Sequence, residues 1–302
     1  MEDLARPKGD RLMSQVAVIT DSTASLPEEM YARFRITMVP YYVHFSGRAA
    51  RDMVDIKPPE FNAYLSGLSA KAELPKTANP GPGDYLAAFS LAAQATTEVI
   101  SFHMTSRGSG AFQAALLARQ MAQQQLPGVR IEVVDTCNVS MCQGWIALQA
   151  ARAALDGATL DDVLALARRM IPITRMIQTA DTLRYLYMGG RIGRAQHLVG
   201  SLLNIKPLIS MEDGVITALG VSRTRLGAYQ RMAGLVARAV GAGAPIRLAL
   251  THAAAAQEAE LLHSQVAQVV TPVETLFCEL SPALAVHSGP GTVGLCYTPE
   301  RA

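Results

Sequence analysis

The sequence predicts an α/β chain of two domains: an N-terminal parallel-sheet α/β domain and a C-terminal α+β domain with a mixed or antiparallel sheet. Three observations carry this. Short continuous apolar runs, such as Val16 to Thr20, alternate with helical patterns through the first half. That is the mark of strands buried on both faces beneath crossover helices. Polar loops rich in Ser, Thr and Gly follow those runs, where open α/β sheets place their ligands. After about residue 173 strand patterns crowd together, and Asp213-Gly214 between two of them is a hairpin signal. The expected division of the 302 residues is a flexible arm over 1–15, a domain over 16–173 and a second over 174–302.

Each element follows in order. The run at 16–20 is a strand ending at the turn formers Asp21-Ser22-Thr23. Pro27-Glu28-Glu29 opens a helix, with proline and acids in its first turn. Residues 36–45 read as one strand, 46–58 as loop and 59–68 as a short helix. The turn-rich KTANPGPGD (76–84) leads into a helix over 85–95, for which Asp84 is the expected N-cap. A strand at 97–104 runs into Thr105–Gly110, after which Phe112, Leu116, Leu117 and Met121 recur near helical spacing. A strand at 130–135 and a helix near 141–155 follow, then an amphipathic helix carrying Leu160, Val163, Leu164, Ala167 and Met170. Beyond the boundary, strands are expected at 174–180, 205–211, 214–220, 246–252, 273–280 and 293–298, with helices over 224–241 and 255–267. Parallel topology gathers the loops 20–23, 105–110 and 135–140 at one edge, with 76–84 beside them.

Composition narrows the function. Half the residues are apolar and 17% charged, which excludes a disordered chain. Net charge is +2 with no basic run, so no nucleic-acid partner is expected. No apolar stretch approaches the roughly 20 residues that span a bilayer, and the first residues lack an apolar signal core. A cytoplasmic protein without stable membrane insertion is the expectation. Cys137, Cys142, Cys278 and Cys296 show no metal-binding or disulfide spacing, and the six histidines show no zinc spacing. Free thiols, no metal and no cofactor are expected.

Several residues invite chemistry one at a time. Asp21 at a strand end suits a phosphoryl acceptor, yet Thr23 stands where a D-x-D phosphatase needs its second acid. Capping and loop fixing is the competing role. Ser109 and Ser106 lack the G-x-S-x-G frame of a hydrolase nucleophile. Ser109 and Gly110, before a helix, suit either an anion site or an ordinary cap. Gly189 to Gly193 is neither a dinucleotide fingerprint nor a phosphate loop, and reads alone as a turn. His287, on the stiff HSGPG turn, can donate to an anion; His252, closing a strand, offers less.

In combination these pieces say more. ITDSTASLP (19–27), KTANPGPGDY (76–85), SFHMTSRGSGAFQAA (101–115), VVDTCNVSMCQG (133–144), DTLRYLYMGGRIG (181–193), LLNIKPLI (202–209), SRTR (222–225) and HSGPGTVGL (287–295) occur in this order. The series resembles the DegV family of fatty-acid-binding proteins over residues 16–298, with GGRIG, NIKP and H-x-GPG its most distinctive parts. The resemblance implies two α/β domains holding one long-chain fatty acid between them in an apolar tunnel. It implies a non-catalytic, monomeric protein that presents the carboxylate to a separate ATP-dependent kinase subunit, similar to dihydroxyacetone kinase. The acyl phosphate formed there feeds phospholipid synthesis. A stand-alone lipid carrier or regulator is the alternative, and a hydrolase or phosphatase using Asp21 or Ser109 a more distant one.

By the same resemblance Thr77, Ser109 with Gly110, and His287 bind the carboxylate. Arg223 faces the kinase or the transferred phosphate. Asp21, Ser22 and Thr23 support the site, and Arg191 and Lys206 match family positions without an assigned role. The chain departs from the family pattern at Ala78-Asn79, where Ser-Gln is usual, and at Gly108 and Ala111, where Leu and Thr are usual. A reshaped mouth is the implied consequence. Thirteen methionines supply adaptable lining for a flexible chain.

Overall fold

The computed structural model describes residues 16–69, 72–198 and 205–300; the expected arm over 1–15 and Asn204 of the NIKP motif lie outside them. Strand β1 (Val16–Asp21) is buried on both faces, as its continuous apolar run requires. A 3-10 turn at Ser22–Ala24 and helix α1 (Glu28–Arg33) return the chain to β2 (Ile36–Val39), parallel to β1. Pro40 then ends the ladder, because proline has no N–H to give. The chain leaves for a three-stranded sheet of β3 (Tyr42–Phe45), β4 (Arg48–Arg51) and, beyond helix α2 (Pro58–Ser66), β5 (Lys76–Ala78). The strand expected over 36–45 is therefore two strands in two sheets, and the loop expected over 46–58 contains β4.

Helix α3 (Pro82–Ala92) starts earlier than expected. Asp84 lies inside its first turn, where its carboxylate accepts the Gly81 N–H at 2.8 Å. Strand β6 (Glu98–His103), α4 (Ala111–Gln125), β7 (Arg130–Asp135), α5 (Met141–Leu155) and α6 (Leu160–Met170) follow. The first sheet runs β2-β1-β6-β7, all parallel. The sequence moves outward from β1 to one side and from β6 to the other. The switch point falls between their carboxyl ends, which sets Asp21–Thr23 beside Met104–Gly110.

The second sheet is mixed. Its strands are β8 (Arg175–Thr179), β9 (Lys206–Glu212), β10 (Val215–Ser222), β11 (Pro245–His252), β12 (Thr271–Glu279) and β13 (Val293–Pro299). Helices α7 (Arg184–Met188), α8 (Arg225–Val240), α9 (Ala256–Ala267) and α10 (Pro282–Ser288) connect them. The order is β10-β9-β8-β13-β11-β12, antiparallel except for the pair β11–β12. Asp213 and Gly214 turn β9 into β10 with φ of 51° and 75°, as a tight hairpin demands. At the β10 edge, Arg231 donates to the carbonyls of Leu219 and Val221 at 2.9 and 3.0 Å. Gly220 admits that guanidinium: a Cβ there would lie 2.5 Å from Arg231 Nη2. The edge carbonyls are thereby occupied.

Helix α5 lies between the two sheets and is buried along most of its length. Trp145 Nε1 donates to the Cys296 carbonyl of β13 at 3.3 Å. One apolar cluster takes in Val18 and Ile100 below α5 and Met176, Ala249 and Cys296 beyond it. Gly144 permits the closest approach, since a Cβ would meet the Ala24 carbonyl at 2.8 Å. All four cysteines are free, and burial pushes the thiols of Cys142 and Cys278 well up, which makes them poor nucleophiles. Among the described residues no helix is long and apolar enough to cross a membrane.

Candidate functional site

The switch point is built around Asp21, which is 0% exposed. Its Oδ1 accepts from Thr23 N and from Gln143 Nε2, each at 3.1 Å, and from the Thr23 hydroxyl. Gln143 Nε2 also reaches Thr20 Oγ1 at 2.9 Å and the Phe102 carbonyl at 3.3 Å, so α5 ties β1 to β6. Asp21 Oδ2 faces His103 Nδ1 at 3.5 Å, and the other ring nitrogen pairs with Ser101 Oγ at 2.9 Å. The constellation has the residue types of a hydrolytic triad, but Ser101, His103 and Asp21 are all fully buried. Capping and support is what the geometry gives Asp21. Ser22 adds to it by accepting the Tyr41 N–H at 3.0 Å.

Above this network lies a polar cluster open to a small pocket. Thr77 Oγ1 and His287 Nε2 are 2.8 Å apart across 210 positions of sequence. Ser109 Oγ accepts the Ala111 N–H at 3.2 Å and lies 2.7 Å from the Tyr41 hydroxyl. Ser109, one residue before the Gly110 N-cap, therefore satisfies the first N–H of α4 and borders the pocket at once. That pocket, about 80 Å³, is lined by Thr23, Tyr41, Thr77, Asn79, Ser109, Gly110, Arg191 and His287 among others. Tyr41, which sequence reasoning missed, is buried, and burial pushes its hydroxyl well above the ordinary range. Proline-forced departure from β2 is the signal that marks its position.

His287 sits in the last turn of α10, not on a loop. The start of that helix is held by Asp52, whose Oδ1 accepts the Ala283 N–H at 3.1 Å, a side chain satisfying an orphan donor of a helix N-terminus. Burial pushes the Asp52 carboxyl up to about 6. At the other end Gly189 lies against the imidazole: a Cβ there would come 2.5 Å from His287 Nδ1. Burial, and after it the nearby Arg191 charge, pushes His287 down to about 4.

The remaining expected residues divide. Arg191, exposed, donates to the Gly189 carbonyl at 2.5 Å and borders the small pocket. Lys206 pairs with Asp181, which also binds Arg225 at 2.7 Å. Burial alone would raise the Asp181 carboxyl, but Lys206 and Arg225 outweigh it and hold it low. Arg225 reaches on to the Gly291 carbonyl at 2.7 Å and so braces the GPG turn after His287. Lys206 is thus structural support at one remove. Arg223 is exposed between β10 and α8 and borders neither pocket nor cavity.

The small pocket adjoins a larger cavity of about 390 Å³, within the roughly 300–1,000 Å³ of small-molecule sites. Met104, Gly108, Arg191, Leu284 and His287 border both. Beyond them the wall is mostly apolar, with Val139, Met176, Leu186, Ile209, Met211, Ile216 and Leu280. Met104, Met176 and Met211 are the methionines in this lining. At Gly108 a Cβ would lie 3.2 Å from Thr105 Cγ2 and 3.3 Å from the Met104 methyl. Asn79 fills the pocket side, with its Oδ1 3.1 Å from where a Gly110 Cβ would stand.

The imidazole makes a measurable mark on pH dependence. The fold holds His287 at about 4, below its ordinary 6.5, so unfolding takes up a proton between those values. Its contribution to stability is whole above pH 6.5, declines as pH falls and is gone near pH 4. Asp52, held near 6 against 3.8, acts in the opposite sense, its contribution being lost as pH rises through 6. His287→Asn removes only the first slope. Urea titrations should show the variant gaining on the parent by up to about 3 kcal/mol between pH 7 and pH 4. A difference that does not change with pH would mean that His287 protonates freely in the folded protein.

Comparison with known proteins bears on this arrangement. The DegV family model matches residues 15–300. A DegV domain-containing protein of Streptomyces coelicolor is 34% identical over 282 residues, covering 93% of this chain and 97% of that one. Another, from Deinococcus radiodurans, is 32% identical over 293 residues, covering 95% and 99%. Among solved structures, a DegV family protein from Thermus thermophilus described for its fatty acid binding superposes with a TM-score of 0.87 at 31% identity, covering 94% of this chain and 99% of that one. DegV of Bacillus subtilis, described as a fatty acid binding protein, gives 0.83 at 29% identity, covering 95% and 100%.

Proposed function

This chain belongs to the DegV family, and from that premise we propose that it binds one long-chain fatty acid, with the acyl chain in the 390 Å³ cavity and the carboxylate in the adjoining polar pocket. The observation that carries the reading is the adjacency of the two spaces. One wall is apolar, the other gathers hydroxyls, an imidazole and a guanidinium, and five residues border both. A fatty acid has that division of polarity. The roughly 14 methylenes of a C16 chain are worth on the order of 11 kcal/mol gross on burial, of which association and chain ordering take back a large share. The carboxylate needs donors in compensation, and Thr77, Ser109, Tyr41, Arg191 and His287 are the residues that would supply them, with Gly110 giving close approach.

The second half of the proposal is presentation, by a protein that is itself non-catalytic, cytoplasmic and monomeric. The carboxylate is held at the rim for an ATP-dependent kinase subunit, and Arg223, exposed and away from the cavity, faces that subunit. Enclosure of Asp21 and the pairing of Ser109 with a tyrosine in place of a histidine favour binding over hydrolysis. Native mass spectrometry followed by lipid extraction tests the first half. A stoichiometric adduct with the mass of one long-chain fatty acid is expected; a protein that stays ligand-free with added fatty acid overturns it. For the second half, Arg223→Ala should retain bound fatty acid while acyl phosphate formation with the kinase subunit falls at least about tenfold, as expected for one lost charge-assisted contact. Unchanged turnover would remove Arg223 from that role, and no turnover by the parent pair would favour a stand-alone carrier.

A further inference from the structure

The cavity wall contains an amide with nothing to bind. Gln178 lies in the middle of β8, and Met176 and Gln178 both line the cavity while Ile177 points to the opposite core. In register it stands between Ile209 of β9 and Gly294 of β13, and Ile209 in turn faces Ala218 of β10. The row runs on past Gly294 to Thr251 of β11, and of its two polar side chains Gln178 is the one that lines the cavity. It is 9% exposed, and among the described residues its amide has no hydrogen-bond partner. Gly294 makes room for it: a Cβ there would lie 3.3 Å from the Gln178 Cβ.

The neighbouring polar groups do not satisfy it. The hydroxyls of Thr105 and Ser288, which also line the cavity, donate to the carbonyls of Gly214 and Leu284 at 2.9 Å each. Ser140, 5% exposed and on the same wall, has an Oγ that is itself without a partner. Neither Gln178 nor Ser140 borders the small polar pocket, so neither belongs to the carboxylate end. The amide faces the cavity, where an alkyl chain would take its water and leave it unpaired at a cost that leucine or methionine would avoid. An amide offers one donor face and one acceptor. A hydroxyl group, which donates and accepts, is its natural complement.

We propose that the cavity selects a long-chain fatty acid bearing a hydroxyl group part-way along its chain, with Gln178 as the residue that recognises it. This rests on the fatty-acid reading above and deepens it. Sites built to hydrogen-bond a hydroxyl discriminate against analogues lacking it, because the protein's own polar group is then stranded.

The test is displacement of a fluorescent fatty acid by hexadecanoate and by its monohydroxy positional isomers, on the parent protein and on Gln178→Leu and Gln178→Met. For one isomer, the ratio of its affinity to that of hexadecanoate should fall on the order of tenfold in both variants, with hexadecanoate itself bound as tightly or more so. Two apolar replacements guard against one packing badly, and thermal unfolding checks that each is folded. If hexadecanoate binds and the ratio is the same in all three proteins for every isomer, this inference fails and the fatty-acid reading stands. If neither hexadecanoate nor any hydroxy acid displaces the probe, both fail.

Discussion

Asp21→Ala is expected to cost the folded state about 2–4 kcal/mol, the loss typical of leaving buried hydrogen-bond donors without their acceptor. The carboxylate is fully enclosed and accepts from Thr23 and Gln143 while facing His103. Alanine would strand Gln143 Nε2 on its remaining contacts, leave the Thr23 N–H without its acceptor and leave His103 without its acid. These groups join β1, β6 and α5 at the point where the strand order of the parallel sheet reverses. Urea denaturation reads the loss directly, and the melting temperature should fall by roughly 10 °C. Asp21→Asn keeps the shape and one acceptor oxygen, so its cost should be about half as great or less. A loss below about 1 kcal/mol for alanine would show that the network is not what holds the switch point together.

Gly189→Ala is expected to weaken fatty acid binding by about 10–100-fold with little change in folding, the fold-change matching loss of one hydrogen bond to a charged group. Gly189 has helical backbone angles, φ −75° and ψ −7°, which alanine also adopts, and a Cβ there would stand 3.0 Å from the Tyr185 carbonyl. The same Cβ would stand 2.5 Å from His287 Nδ1. The imidazole would have to swing away, and with it goes the 2.8 Å pairing to Thr77. Gly157→Ala is the control. Gly157 has φ +91°, nothing within 4 Å of a new Cβ and no place in either lining, so it should lose stability through backbone strain while keeping affinity. Titration with a fluorescent fatty acid distinguishes them; equal affinities for Gly189→Ala and the parent would place the carboxylate elsewhere.

The sequence foretold strands where local pattern and tertiary need agree. Val16–Asp21, Glu98–His103 and Val293–Pro299 are apolar runs whose burial forces one conformation. It did not foretell β4, because Arg48-Ala49-Ala50-Arg51 has no strand preference of its own and is extended only by pairing with β3. Nor did it divide 36–45, since apolar periodicity runs straight across Pro40. The candidate site was legible through its motifs, not through chemistry. Thr77 and His287 meet across 210 positions, a closeness no local pattern records. Asp52, Tyr41, His103 and Gln143 went unnoticed for the same reason: each acts on a partner far along the chain. Arg191 is the reverse case. Its place in a glycine-rich turn was plain, while its position at the rim of both spaces appears only once α7 and α10 are packed.

Helix α5 sets a limit on how the molecule can open. It is sandwiched by both sheets, and its tryptophan is fastened to β13. Parting the sheets like jaws would expose the whole length of a helix that has almost no water-tolerant face. Such a wedge makes the interior a sheath and not a clamp. On the proposed function, a fatty acid would then enter and leave lengthwise past the rim residues, and its release would slow with each added carbon.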